Sequence, residues 1–142
     1  MGCLLDQPIL STPQIPDISR AKLRVKLIQE ELDELNKAID DNDLIEVADA
    51  LADLEYVVAW SILEFGLGSK FADIFEWVHD SNMTKLCNNI TEAQDTINRY
   101  ISNIWWKYIY EARWDKFAVI REDWKAIKSI YYKPVNISQI LQ

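Results

Sequence analysis

The chain has 142 residues, 49% of them hydrophobic, with a formal charge of −8 and two cysteines, which is enough to bury a core of its own without cross-links. So acidic a balance argues against gripping a nucleic-acid backbone, which such proteins meet with a basic face. Cys3 and Cys87 are too few and too far apart for a disulfide framework or a zinc site, and read as reduced thiols. No basic segment followed by an apolar one opens the chain. The longest apolar runs are broken by charge before the roughly 18 residues that a membrane span needs, so the expectation is a cytoplasmic protein with neither a membrane nor a nucleic-acid partner. The charge is uneven: residues 1–64 hold 14 acidic and 5 basic side chains, against 9 and 10 in residues 65–142.

Pro8, Pro13 and Pro16 make residues 1–16 an extended lead-in able to drape over the body. The first helix is predicted from Asp17 or Ser19, either a competent N-cap, to about Ile39, where Asp40, Asp41, Asn42 and Asp43 make the break. At roughly 100° per residue, Ile28, Leu32, Leu35 and Ile39 form the main apolar stripe. Leu23, Leu27, Glu30, Glu31 and Glu34 form a second, mixed stripe beside it, and Asp33 points away with Lys26 and Lys37.

The second helix, about Leu44 to Phe65, is apolar on almost every side and is expected in the interior. Glu46, Asp49 and Asp53 nevertheless share one edge of it. An ionised carboxylate in an apolar interior must be protonated, paired or bound to a metal. Few cations lie nearby in sequence: Arg24, Lys26 and Lys37, two of them facing outward.

Gly66 and Gly68 end that helix, and Ser69 can cap a third running from Phe71 to about His79, with the polar residues Asp80 to Lys85 at or just beyond its end. A fourth helix is predicted from Thr91, as cap, to Ile104, with Ala93, Ile97, Tyr100, Ile101 and Ile104 inward. Residues 106–133 then alternate in short runs, Tyr108 to Glu111, Phe117 to Arg121 and Ala126 to Ile130, which suits an antiparallel hairpin or meander. Helix is the competing reading, because no Gly marks the turns. The tail beyond Pro134 is expected to pack Ile137, Ile140 and Leu141 back on the body. The fold expectation is therefore an all-α core of four helices with a small β appendage. It forms one domain over residues 1–142: motif-bearing helices in 17–87, then an extension and tail.

Hard divalent cations take oxygen ligands, and magnesium accepts a few carboxylates together with substrate phosphates. Two antiparallel helices bearing Glu30-Glu31-x-x-Glu34 and Glu46-x-x-Asp49 can supply such oxygens to one cleft, since residues three and four apart share a helical face. Each acid also has a plainer role. Asp43-x-x-Glu46 fits a capping box, and Glu30 and Glu34 fit a solvated surface.

The order EExxE, eleven residues, then ExxD resembles the all-α nucleoside triphosphate pyrophosphohydrolases, the MazG-like group that includes phosphoribosyl-ATP pyrophosphohydrolase and dimeric dUTPases. The segments LRVKLIQEELDEL, DLIEVADALADLEYVV and EWVHDSNMTKL carry the likeness over about residues 20–87, and IKSIYYKPVNISQIL resumes it in the tail. It points to a bacterial or phage-type, phosphoribosyl-ATP pyrophosphohydrolase-like or Cof-like, subgroup. Residues 88–130 are longer than in compact members, and Asp80 stands where a basic residue is common.

The resemblance implies a hydrolase that cleaves a (d)NTP to (d)NMP and pyrophosphate, with roles in nucleotide-pool sanitising or in dUTP or dCTP hydrolysis. It implies that Glu30, Glu31, Glu34, Glu46 and Asp49 bind Mg2+, or Mn2+ as a substitute. It further implies that Asn82 and Lys85 contact the nucleotide, and that a metal-activated water attacks the α-phosphorus. Glu31, nearest the core stripe, is the choice for general base. The apolar second helix needs more cover than its own chain supplies, so a homodimer or homotetramer is expected. Two other readings remain. Glu76-x-x-His79 is one half of a di-iron carboxylate motif, which needs a second such element, and the chain has a single His. Trp105, Trp106, Trp114 and Trp124 could display an aromatic surface on a non-catalytic helical interaction module.

Overall fold

The computed structural model describes residues 8–101 and 106–142. Cys3, Ile104 and Trp105 lie outside the described residues. The chain is mainly α-helical with a small antiparallel sheet near its C-terminus, as expected. Its internal contacts gather into two compact units, residues 1–72 and 73–142.

In the first unit, α1 (Ile18–Asp40) and α2 (Leu44–Glu64) form a helical hairpin. Asp17 caps α1 by accepting from the Ser19 N–H at 2.9 Å. Asn42 takes the left-handed conformation (φ 53°) at the reversal, a conformation in which Asn is among the least penalised residues. Asp43 then caps α2, its Oδ1 accepting from the N–H groups of Ile45 and Glu46 at 3.0 and 3.2 Å. The small side chains of Ala38 and Ala50 are buried. At the far end, Glu64 on the last turn of α2 reaches Arg20 and Arg24 on the first turns of α1, which fixes the pair as antiparallel. The lead-in drapes along α2, Leu10 N–H donating to the Leu63 carbonyl and Gln14 N–H to that of Phe65, each at 3.1 Å. Gly66 (φ 69°) ends the helix where this strand passes: a Cβ there would overlap the Thr12 carbonyl group.

Two expectations about packing need correction. The face of α1 that is covered runs through Arg24, Leu27, Ile28, Glu31, Leu35 and Ala38, whereas Leu32 and Ile39 of the forecast apolar stripe are exposed. The second helix is not interior in the single chain: Ile45 is 80% exposed, and Leu44, Leu51, Tyr56 and Val58 are exposed too. One antiparallel partner covers only one side of a helix that is apolar all round.

In the second unit, α3 (Phe71–Met83) begins at the boundary and runs four residues further than forecast. Asp80, Ser81 and Asn82 therefore lie in its last turn, and Thr84 and Lys85 in the turn that follows. The next helix, α4 (Ile90–Tyr100), is capped by Asn89 and not by Thr91, with Asn89 Oδ1 accepting from Glu92 N–H at 2.9 Å. It packs on a three-stranded antiparallel sheet of β1 (Tyr108–Arg113), β2 (Lys116–Arg121) and β3 (Ala126–Ile127), in that spatial order.

The meander reading was the right one. Tyr108 pairs with Arg121 and Arg113 with Lys116, leaving a two-residue turn. In place of Gly, the turns use Trp114 (φ 55°) and Trp124 (φ 65°) in left-handed conformations, an uncommon choice that the flanking ladder holds in place. Both indoles are exposed, while Trp106 receives the Arg121 guanidinium over its ring at 4.1 Å. The core of this unit is Cys87, Ala93, Ile97, Val119 and Ile127, whereas Ile101, forecast as inward, is exposed. Cys87 exchanges backbone hydrogen bonds of 2.7 and 2.8 Å with Phe117, so the connector after α3 extends the edge that the short β3 leaves open. On the opposite edge, β1 carries an ion pair between Glu111 and Arg113 at 2.5 Å. The tail ends in a short helix, α5 (Ser138–Leu141); Ile137 and Ile140 are half-buried and Leu141 is exposed. Among the described residues no helix is long and apolar enough to cross a membrane.

Candidate carboxylate site

The antiparallel hairpin sets the two acidic motifs against each other. Glu34 and Glu46 line one cavity of about 340 Å³, together with Lys37, Ala38, Asp41 and Asp43. One turn further from the reversal, Glu31 is half-buried and feels Asp49 and Asp53 across the hairpin. Burial pushes the Glu31 carboxyl above its ordinary value, and the charges of Glu34, Asp53, Glu30 and Asp49 push it the same way. Steps of three residues on each helix, taken in opposite directions, keep the motifs in register.

The plainer roles can now be weighed. Asp43 does cap α2, but the reciprocal half of a capping box is already filled, since the Asp43 N–H donates to the Ala38 carbonyl at 3.0 Å. The Glu46 side chain is thus not needed as a cap. Glu30 is exposed and forms an i,i+4 ion pair with Lys26 at 3.2 Å, a contact worth little at a surface. Asp33 accepts from Gln29 at 2.8 Å on the exposed side of α1, as its place on the wheel implied. Glu46, Asp49 and Asp53 are exposed in the single chain and do not descend into a core, because α2 itself is uncovered. Among the described residues no three His, Cys, Asp or Glu side chains are drawn together closely enough to hold a metal ion. The donor set still suits a hard cation: all its members are carboxylates, and their mutual repulsion already registers on Glu31.

Asn82 and Lys85 belong to the second unit, where the Asn82 carbonyl accepts from the Lys85 N–H at 3.0 Å; Asn82 is exposed and Lys85 half-buried. His79 and Glu76 are exposed on α3.

Sequence reasoning missed one charged centre. Glu64, 0% exposed, is bonded through Oε1 to Arg20 Nε at 2.6 Å and through Oε2 to the buried Arg24. Burial pushes its carboxyl up, but the two guanidiniums more than offset that and hold it below its ordinary value. The available signal was a lone Glu at the apolar end of α2 opposite two arginines spaced i,i+4 on α1.

The chain is thus a mainly α-helical protein whose first unit is a helical hairpin with carboxylates opposed across it. The family model for phosphoribosyl-ATP pyrophosphohydrolase matches residues 2–82, and the chain belongs to that family. It is also similar to "Uncharacterized protein L479" of Acanthamoeba polyphaga mimivirus, 33% identical over 82 residues, which is 54% of this chain. The chain spans only 33% of the length of that curated relative.

Proposed function

We propose that this protein is a nucleoside triphosphate pyrophosphohydrolase that cleaves a (d)NTP to (d)NMP and pyrophosphate. The reading is supported above all by the opposed placement of Glu31 with Asp49 and of Glu34 with Glu46 across the hairpin. We assign Glu30, Glu31, Glu34, Glu46 and Asp49 to hold magnesium, or manganese in its place. Bound divalent ions supply charge neutralisation of the triphosphate and make water a better nucleophile at neutral pH.

In this reading water attacks the α-phosphorus, the bond from that phosphorus to the α,β-bridging oxygen breaks, and pyrophosphate leaves. Glu31, half-buried beside the opposed acids of α2, takes the proton of the attacking water. Asn82 is assigned to contact the nucleotide, which suits an amide able both to donate and to accept, and Lys85 to meet the phosphates as a point charge.

We also propose a homodimer or homotetramer. The uncovered apolar side chains of α2, with Leu32 and Ile39 of α1, form a face that a second copy of the hairpin would bury. A monomer at micromolar concentration by light scattering would remove this part.

Pyrophosphate release across a panel of common and modified nucleoside triphosphates, with and without Glu31→Ala, tests the chemistry. No release from any of them in magnesium or manganese would overturn it. The exposed Trp114 and Trp124 favour a second reading, an interaction module with an aromatic surface. Thermal stabilisation by magnesium separates the two, since only the hydrolase reading expects it.

A further inference from the structure

The second unit carries an open surface groove of about 400 Å³, a volume within the range of small-molecule sites. The end of α3 and the tail build it. Buried Ser81 donates to the Lys133 carbonyl at 2.8 Å, and the Lys133 N–H donates to Thr84 Oγ1 at 2.9 Å, which ties the tail to the helix and preforms the space. The apolar part of its wall includes Trp77, itself 39% exposed, and Pro134. Asp80, Asn136 and Gln139 supply polar groups, and Lys133 adds a cation. The Asn136 Oδ1 accepts from Ser138 Oγ at 2.6 Å, which leaves its NH2 to serve a ligand.

An aromatic wall with hydrogen-bonding groups beside it suits a planar heterocycle. Which heterocycle follows from the carboxylate. Two acceptor oxygens are best met by two adjacent N–H donors, as in bidentate pairs. Among the common bases guanine alone offers these side by side, at N1 and the N2 amine, with O6 as an acceptor for an amide NH2. Adenine and cytosine set an acceptor next to their amino group, and thymine sets acceptors on both sides of its N–H, so each would turn a lone pair toward one oxygen of Asp80. We infer that this groove binds the guanine ring of a nucleotide, with Asp80 accepting from N1–H and the N2 amine, Asn136 donating to O6, and Trp77 against the ring face. That the ligand is a nucleotide rests on the pyrophosphohydrolase reading.

The test is calorimetric titration of the full chain, without divalent metal, with dGMP, dIMP, dAMP, dCMP and TMP. We expect dGMP to bind tightest and dIMP, which lacks the N2 amine, about tenfold more weakly, as the loss of one hydrogen bond to a charged group implies. Asp80→Asn, an isosteric change at an exposed position, should bring dGMP down to the level of dAMP. Equal affinity for dGMP, dIMP and dAMP, no binding of any, or an Asp80→Asn protein that keeps its preference would each overturn the inference. If triphosphates are not cleaved but dGMP binds as described, the pocket stands and the hydrolase reading falls. If they are cleaved but dGMP does not bind as described, only the pocket falls.

Discussion

Replacing Glu64 with alanine should destabilise the protein strongly. The carboxylate is fully buried, bonded to the guanidiniums of Arg20 and Arg24, and Arg24 is itself buried. Removing one partner of a buried ion pair costs about 3–5 kcal/mol, because the buried guanidinium of Arg24 then loses the charge and the hydrogen bond that this carboxylate supplies. For a chain of this size, thermal midpoints move by roughly 3–4 °C per kcal/mol, so a fall of about 9–20 °C is expected in circular-dichroism melts at pH 7. The pH dependence has a definite sign. The folded-state carboxyl lies below its ordinary value of 4.5, so its contribution is complete above that value and is lost as pH falls through the depressed folded value. The gap between wild type and Glu64→Ala should therefore be constant from neutral pH down to about 5 and close progressively in more acid solution. Replacing Arg24 and Glu64 together with methionine should recover much of the loss, since well-packed apolar substitutes for buried pairs are often neutral. A Glu64→Ala protein within about 1 kcal/mol of wild type, or a gap that widens in acid, would refute this account of the pair.

Asp43→Ala removes the N-cap of α2 and should cost about 1 kcal/mol by urea unfolding, whereas Glu46→Ala, which caps nothing with its side chain, should leave stability nearly unchanged. Gly66→Ala meets both a left-handed backbone and the passing Thr12 carbonyl, so a loss of about 1–3 kcal/mol and faster proteolysis within residues 8–16 are expected. Glu31→Gln should lower pyrophosphate release by at least about 10²-fold while the protein remains folded, as loss of a general base does. A smaller change would reassign that role.

Much of this architecture can be read from the residues. Asp17 and Asp43 mark both helix starts because their short carboxylates satisfy N–H groups that the helix itself leaves open. The strands at Tyr108 and Phe117 show as short aromatic and β-branched runs even though no glycine announces their turns, but β2 buries Ala118, Val119 and Ile120 in succession and does not alternate as forecast. The opposition of the two acidic motifs follows from spacing alone, once three residues join two helices. What could not be read depends on contacts distant in sequence. Hydropathy shows that α2 wants cover on every side, but not whether its own chain provides it; exposed Leu44 and Ile45 are the outcome. Glu64 looks like one more acid until folding brings Arg20 and Arg24 beside it. Asn89 displaces Thr91 as cap because the register of α4 is set by where Cys87 docks on β2, a tertiary matter.

The two edges of the small sheet differ. On the β3 side, the Cys87 backbone occupies hydrogen-bonding positions that a foreign strand would need. On the β1 side no further strand pairs among the described residues, with Tyr108, Ile109 and Tyr110 near one end and the Glu111–Arg113 pair near the other. An open edge recruits other strands unless charge discourages it, and here two side chains of opposite sign stand on a strand of six residues. The pair stands where it discourages such recruitment. Neutralising both would turn the appendage into a seed for intermolecular β-pairing while leaving the acidic hairpin untouched.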